Sequence, residues 1–237
     1  MGANVVPITP SGKPAARPAR PAGRGTTINT QTIGEAWLDV ARLILLSGSP
    51  SNWEGLPLQE VELVTLEIAE PDPDDQLITR YASPDWLAWM RANFTERTRV
   101  AALGDARSYA SRIFDYAGAG RDQLDWVVDK LSRDPVTSNV TITTFEPLTD
   151  TSYIPCVSLL DFWLRSGRLE LIAYAHSIDF GKKGFGNLVQ LAELQRHVAS
   201  RLGVPEGALV MIIKSAHIYD TEFDLMAGIT ETAATAR

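Results

Sequence analysis

The feature that most constrains this chain is a set of apolar rhythms in its last third. Leu169, Leu171, Ala173 and Ala175 recur at every second residue, with Ile172, Tyr174 and His176 on the opposite phase. Only an extended strand puts such a set on one face. Residues 157–164 read as the preceding strand, with Gly167 in the turn between them. From Asn187 the rhythm becomes helical through Leu188, Leu191, Leu194 and Val198, until Gly203 and Pro205 end it. Residues 208–213 are continuously apolar, which predicts a buried strand. Together these segments predict an α+β fold: a mixed, mostly β core with a few helices packed on one side.

Upstream, Thr32 and Glu35 fit a capping box, and Ile33, Trp37, Val40, Ala41 and Ile44 follow helical spacing up to Gly48 and Pro50. Residues 52–57 read as a loop and 61–68 as a strand. The apolar phase changes inside that strand, between Val61 and Leu63 on one side and Val64, Leu66 and Ile68 on the other, which predicts a bulge. The acidic turn at 70–75 reads as a solvated loop rather than a metal site. A helix over 84–94 carries Trp86, Leu87, Trp89 and Met90. These form an aromatic core face, unless one indole lines a cofactor pocket. Residues 95–108 carry no clear signal. An amphipathic helix over 121–133 uses Leu124, Val127, Val128 and Leu131 and stops at Asp134-Pro135; residues 140–145 are a β-branched strand.

Three segments follow from composition. Residues 1–27 hold Lys13, Arg17, Arg20 and Arg24 and no acidic residue, so they read as a disordered basic tail. A basic arm touching nucleic acid or an acidic partner is the alternative. Residues 28–225 form one domain, and residues 226–237, rich in Thr and Ala, are expected to fray. A chain of 237 residues with 45% apolar content buries one substantial core. A single cysteine excludes an internal disulfide, and no segment has the length of a membrane span or the core of a secretory signal, so a cytoplasmic location is expected. The net charge of −7 argues against a general nucleic-acid binder. An anionic ligand would have to be met by locally gathered positive groups.

That one cysteine, Cys156, follows Pro155 and precedes His176, Ser177, Asp179, Asn187, His217 and Tyr219. A free cysteine alone is most often an inert core residue; one with histidines elsewhere in the chain is a candidate nucleophile. The spacing of Pro155-Cys156, Tyr174, Ser177, Asp179, Asn187 and His217-Ile218-Tyr219 resembles the thymidylate synthase and pyrimidine hydroxymethylase family. The resemblance extends more weakly back through Tyr109 and the 122–126 helix to Asp134-Pro135, and is faint before about residue 100.

The resemblance implies a thymidylate synthase-like fold with two subunits packed sheet to sheet. It implies one-carbon transfer from 5,10-methylenetetrahydrofolate to C5 of a pyrimidine nucleotide or nucleoside, after a thiolate adds to C6. Cys156 matches the nucleophile, Asp179 a carboxylate near the base and Tyr109 a pocket tyrosine. Asn187 matches the residue that reads the base edge, where a carboxamide suits uracil. His217 and Tyr219 match the pair that holds the sugar hydroxyl.

The departures carry equal weight. The family's phosphate arginines are replaced by Ser138 and Asn139, and by His176 before Ser177; none of these matches phosphate as a guanidinium fork does. His176, Ser177, Lys182 and Lys183 are the candidates to meet an anion instead. The family's proton-transferring glutamate has no counterpart near Trp89 or Met90. Ser215, a serine as in the hydroxymethylases, and a chain end 18 residues after Tyr219 lean toward a hydroxymethyl product. The lost groups leave a second reading open: a non-catalytic relative that keeps the pocket as a binding or regulatory protein.

Overall fold

The computed structural model describes residues 24–150 and 153–235. Its first elements are β1 (Thr27–Thr30), α1 (Ile33–Ser47), β2 (Ser49–Trp53), β3 (Leu56–Ile68), α2 (Gln76–Tyr81) and α3 (Pro84–Thr95). There follow β4 (Arg99–Val100), β5 (Ala106–Arg107), α4 (Tyr109–Phe114), α5 (Gln123–Arg133) and β6 (Thr141–Thr143). The last third holds β7 (Val157–Arg165), β8 (Arg168–Ala175), β9 (Ile178–Asp179), α6 (Gly184–Leu202), β10 (Glu206–Tyr219) and α7 (Phe223–Thr235). The main sheet runs β1-β3-β10-β8-β7-β6, with β2 beside β3 and β9 beside β10. It is mixed: β3 and β10 are antiparallel, β10 and β8 parallel, β8 and β7 antiparallel. The fold is α+β, as the apolar rhythms require.

Local chemistry explains the elements. Thr32 and Glu35 cap α1 reciprocally, and Ile33, Trp37, Val40, Ala41 and Ile44 are buried. Leu169, Leu171, Ala173 and Ala175 face the helices without exposure, while Tyr174 on the other face is 37% exposed. The acidic turn is structural: Asp75 caps α2 and accepts from the Gly34 amide, and Asp72 and Asp74 pair with Arg196.

Four expectations change. Residues 52–57 are not an irregular loop. Glu54 (φ 51°) and Gly55 (φ 87°) make the two-residue turn of a hairpin in which Trp53 pairs with Leu56, as a right-twisted hairpin favours. Residues 226–237 do not fray as far as Thr235: Met226, Thr230 and Ala233 lie on one buried face of α7, which packs against α1. The basic tail falls outside the described residues up to residue 23. Its last residues are ordered, with the Gly25 amide on the Glu62 carbonyl and Arg24 paired to Glu62. Residues 208–213 are buried on one face only, since Ile212 is 40% exposed.

The expected bulge belongs to more than one strand. In β3 the break is Leu63, with φ 57°, after which burial passes from Val61 to Val64. In β10 it lies at Lys214 and Ser215, where burial passes from Ile213 to Ala216. Between β8 and β9 it is His176-Ser177, and in β7 an extra residue between Val157 and Leu159. The register of β3 on β10 is the same on both sides, so paired strands switch phase together. Bulges of this kind re-aim side chains beside functional sites. Here Ala216 and Ile218 take over the core-facing phase, and His217 and Tyr219 leave it.

Candidate active site

Cys156 sits just before β7, at the line where the sheet breaks. Its carbonyl accepts from the His176 amide (3.0 Å), tying it to the end of β8. The next amide, Val157, donates to the Tyr109 hydroxyl (2.9 Å), and the Thr144 hydroxyl donates to the Val157 carbonyl. Tyr109 is itself stacked on Phe94 with ring centroids 4.3 Å apart. Tyr109 therefore braces the Cys156 segment from behind. The Tyr153 hydroxyl hydrogen-bonds the thiol.

Behind this segment lies a buried guanidinium. Arg112 donates to both oxygens of Asp150 (2.6 and 2.8 Å), to the Thr144 carbonyl (2.8 Å) and to the Arg107 carbonyl (3.0 Å). Asp150 also accepts from the Glu146 amide (2.8 Å). Beside it a pocket of ≈ 180 Å³, lined by Arg99, Arg107, Arg112 and Asp105, reaches Tyr153. Arg107 in turn pairs with Glu146 (2.9 Å).

The remaining groups arrive on β9, β10 and the start of α6. Asp179 and His217 are register partners. Asp179 Oδ1 accepts from the amides of Gly181 (3.0 Å) and Lys182 (3.2 Å), and Oδ2 has no hydrogen-bond donor among the described residues. The loop stays tight because position 181 is glycine; a Cβ there would lie 2.9 Å from the Cβ of Glu222. The Trp37 indole holds the same loop by donating to the Phe180 carbonyl (2.9 Å). His217 Nδ1 lies 3.3 Å from Ser177 Oγ, and its ring meets Tyr219 edge-on at 5.1 Å. Asn187 donates Nδ2 to the Lys183 carbonyl (3.2 Å), which turns its amide oxygen away from that carbonyl.

Burial governs the electrostatics. It pushes the Cys156 thiol up; Lys183 and the Tyr153 hydrogen bond pull it down and Asp179 adds to the rise, with a net upward result. Burial also raises Asp179, against His217 and Lys183. It lowers His217, against Asp179 and Glu60, and lowers His176 with help from Lys214. Tyr219 is pushed up to about 12 by burial and then by Asp179 and Cys156. In the chain alone the pocket thus favours the neutral forms of these groups.

The structure gathers Cys156, Tyr109, His176, Ser177, Asp179, Lys183, Asn187, His217 and Tyr219 on neighbouring elements. It separates three others from them. Lys182 turns to Glu222 (2.8 Å), so its charge is taken. Ser138 and Asn139 are exposed before β6, whose Thr141 pairs with Asp161 on β7. At ~3.3 Å per residue that places them on the order of 20 Å from Cys156 within one chain. Sequence reasoning missed Tyr153, three residues before Cys156, and Arg112, one helical turn after Tyr109; the i, i+3 spacing of Tyr109 and Arg112 was the available signal.

Comparison with known proteins assigns the chain to a family. The family described as thymidylate synthase matches residues 72–235. A protein of Methanosarcina barkeri named as a candidate thymidylate synthase is 28% identical over 215 residues, covering 87% of this chain and 95% of its own length. One of Methanothermobacter marburgensis with the same name is 30% identical over 213 residues, covering 83% and 94%. The deoxyuridylate hydroxymethyltransferase of Bacillus phage SP01 is 33% identical over 149 residues, covering 60% of this chain and 37% of its own. With its mixed sheet and a family match over most of its length, this chain belongs to the thymidylate synthase family.

Proposed function

We propose that the protein transfers a one-carbon group to C5 of a pyrimidine nucleotide or nucleoside, with Cys156 adding to C6. The carrying observation is that the chain's one thiol lies at the sheet break among Asp179, His217 and Tyr219, three groups brought by two other strands. Addition of the Cys156 thiolate to C6 makes C5 an enolate carbon, able to attack an electrophilic one-carbon unit. Asn187 offers a free amide oxygen and one free N–H to the base edge. His217 and Tyr219 offer a ring nitrogen and a hydroxyl to the sugar.

The residues fit a folate. Asp179 Oδ2 is an open acceptor for ring N–H donors, and the indoles of Trp86 and Trp89 are flat, half-buried surfaces at the same end. Bound 5,10-methylenetetrahydrofolate would supply the one-carbon unit. Ser215, whose hydroxyl donates to Glu60 (2.5 Å), favours the hydroxymethyl over the methyl product on the family resemblance.

The protein is proposed to act as a homodimer. Leu159, Tyr174 and Ile212 are cross-strand neighbours in one row on the face away from the helices, and are 36%, 37% and 40% exposed. A second copy laid on this face covers that row, and obligate interfaces of this kind bury roughly 2,000 Å² or more. No described helix is long and apolar enough to cross a membrane; a cytoplasmic location remains part of the proposal.

A panel of pyrimidine nucleosides and nucleotides incubated with methylenetetrahydrofolate tests the reading. Product mass distinguishes methyl from hydroxymethyl, and a 5-fluoropyrimidine analogue traps the Cys156 adduct. No product and no adduct on any ring, or equal labelling of Cys156→Ser, overturns it. The second reading, a non-catalytic binder, is favoured by the raised thiol and the displaced Ser138 and Asn139. Its signature is nucleotide binding with neither product nor adduct.

A further inference from the structure

Lys183 ends the loop that leaves Asp179. Its amide donates to the Asp179 carbonyl (3.2 Å), and its own carbonyl accepts from the amide of Asn187 (3.0 Å) and from Asn187 Nδ2 (3.2 Å). Its side chain then runs toward α3. Nζ lies 5.8 Å from the ring centre of Trp89 and 6.0 Å from that of Trp86, two indoles that meet edge-to-face at 5.8 Å. The neighbouring Lys182 goes the other way, to Glu222. Among the described residues no carboxylate lies within ion-pair distance of Lys183. Indole faces attract a cation without neutralising it, so its charge remains available to the pocket. It acts there on Cys156, Asp179 and His217 together.

The position is unexpected for a family member. Near Trp89 and Met90 the family carries an acidic proton-transfer group; this chain presents indoles and, over them, an ammonium. The groups acting on Cys156 from packed elements are the Tyr153 hydroxyl on its own segment, Tyr109 on α4, Asp179 on β9, Tyr219 on β10 and Lys183 at the start of α6. Lys183 is the cation among them.

We propose that Lys183, rather than an acidic group on α3, is the working charge of this site: its ammonium stabilises the Cys156 thiolate, then faces the enolate oxygen that forms when that thiolate adds to a pyrimidine. The second half rests on the one-carbon-transfer reading; the first does not. In the addition, the thiol proton leaves to solvent and the sulfur lone pair forms the S–C6 bond. The C5–C6 π pair becomes the C4–C5 π bond, the C4–O4 π pair moves onto O4, and no electrons enter or leave. Lys183 donates an N–H hydrogen bond to that O4. Such a donor, placed where charge develops, lowers the barrier to addition. Lys183 is therefore assigned to the reacting ring rather than to a phosphate.

The test uses the single cysteine. Iodoacetamide alkylation, read by intact mass, reports Cys156 alone in the full chain. Rates are measured against pH for wild type, Lys183→Met, Lys183→Gln and Lys183→Arg, with circular dichroism as the check of fold. Lys183→Gln keeps a polar end at the helix start should Lys183→Met not fold. The expected result is a midpoint about one pH unit higher in the two neutral variants, on the order of tenfold slower alkylation at neutral pH, and a wild-type profile in Lys183→Arg. Equal midpoints in wild type and Lys183→Gln overturn the thiolate half.

A 5-fluoropyrimidine nucleotide with methylenetetrahydrofolate then tests the ring. Adduct formation should slow in Lys183→Gln by more than alkylation does. Slowing by only the alkylation factor overturns the enolate half and leaves the thiolate half standing. Absence of any wild-type adduct refutes the one-carbon reading itself, and the alkylation profile still decides the thiolate half.

Discussion

Replacing Arg112 by Met keeps the length of the side chain and removes its charge from behind the Cys156 segment. The Arg112 side chain is 2% exposed and that of its partner Asp150 is 8% exposed. The substitution deletes the donors to both Asp150 oxygens and to the Thr144 and Arg107 carbonyls. It strands a carboxylate whose one remaining donor among the described residues is the Glu146 amide. Removing one partner of a buried ion pair costs about 3–5 kcal/mol, chiefly the penalty of the uncompensated charge. For a domain of this size each kcal/mol lowers Tm by roughly 2–4 °C, so the expected fall is roughly 6–20 °C. Urea and thermal unfolding followed by tryptophan fluorescence measure it. Arg112→Met with Asp150→Leu should recover much of the loss, because the stranded charge is then gone. A single-variant cost under about 1 kcal/mol, or a double variant as unstable as the sum of the singles, refutes the account of a buried brace. Because Asp150 lies six residues before Cys156, the single variant should also change the rate of thiol alkylation.

Acid sensitivity has a predictable sign. His176 and His217 are both held below the ordinary histidine value of about 6.5, so between that value and their folded-state values the unfolded chain binds more protons. The stability they contribute is complete above pH ~6.5 and is lost as pH falls; His176→Gln should flatten that acid-side loss in pH-dependent unfolding, and an unchanged slope rejects it. His176→Arg should tighten a pyrimidine nucleotide but not its nucleoside, most clearly above pH ~6.5 where the imidazole is neutral; calorimetric titration of both ligands checks this. Asn187→Asp replaces a donor to the Lys183 carbonyl with an acceptor, so it should lower stability by about 1–3 kcal/mol and shift relative affinity from uracil toward cytosine compounds. Ile212→Lys puts a charge at one end of the exposed apolar row, beside Tyr174, and should convert a dimer to a monomer in light scattering; a wild-type monomer at micromolar concentration would reject the sheet-to-sheet proposal.

Legibility in the sequence followed contact range. The capping box of α1, the alternation of β8 and the glycine end of α6 are set by neighbours within a few residues, and each appears where its pattern places it. The Pro155-Cys156 pair and the groups that follow it were readable because their order and spacing survive in the chain itself. The N-terminal half was harder. Residues 95–108 hold short elements whose side chains are fixed by long-range partners, such as Arg107 on Glu146. The hairpin at Glu54-Gly55 depended on both residues taking positive φ, and Glu54 announces no such preference.

What the sequence determined alone was the set of elements, their buried faces and the identity of one thiol with its retinue of polar groups. The tertiary structure decided where those groups point. A phase change in β3 is visible in Val61 and Val64, but its alignment with breaks at Lys214-Ser215, His176-Ser177 and the start of β7 exists only in the cross-strand register. Without that line His217 and Tyr219 would continue the core-facing phase of Leu209, Met211 and Ile213; with it they meet Asp179 and Ser177. The two lysines 182 and 183 are equivalent as text. They diverge because one meets a carboxylate at Glu222 and the other two indoles on α3, roughly ninety residues earlier in the chain. Charge and polarity are local properties of a residue, but the field at a sulfur is a sum over neighbours, and those neighbours are chosen by packing.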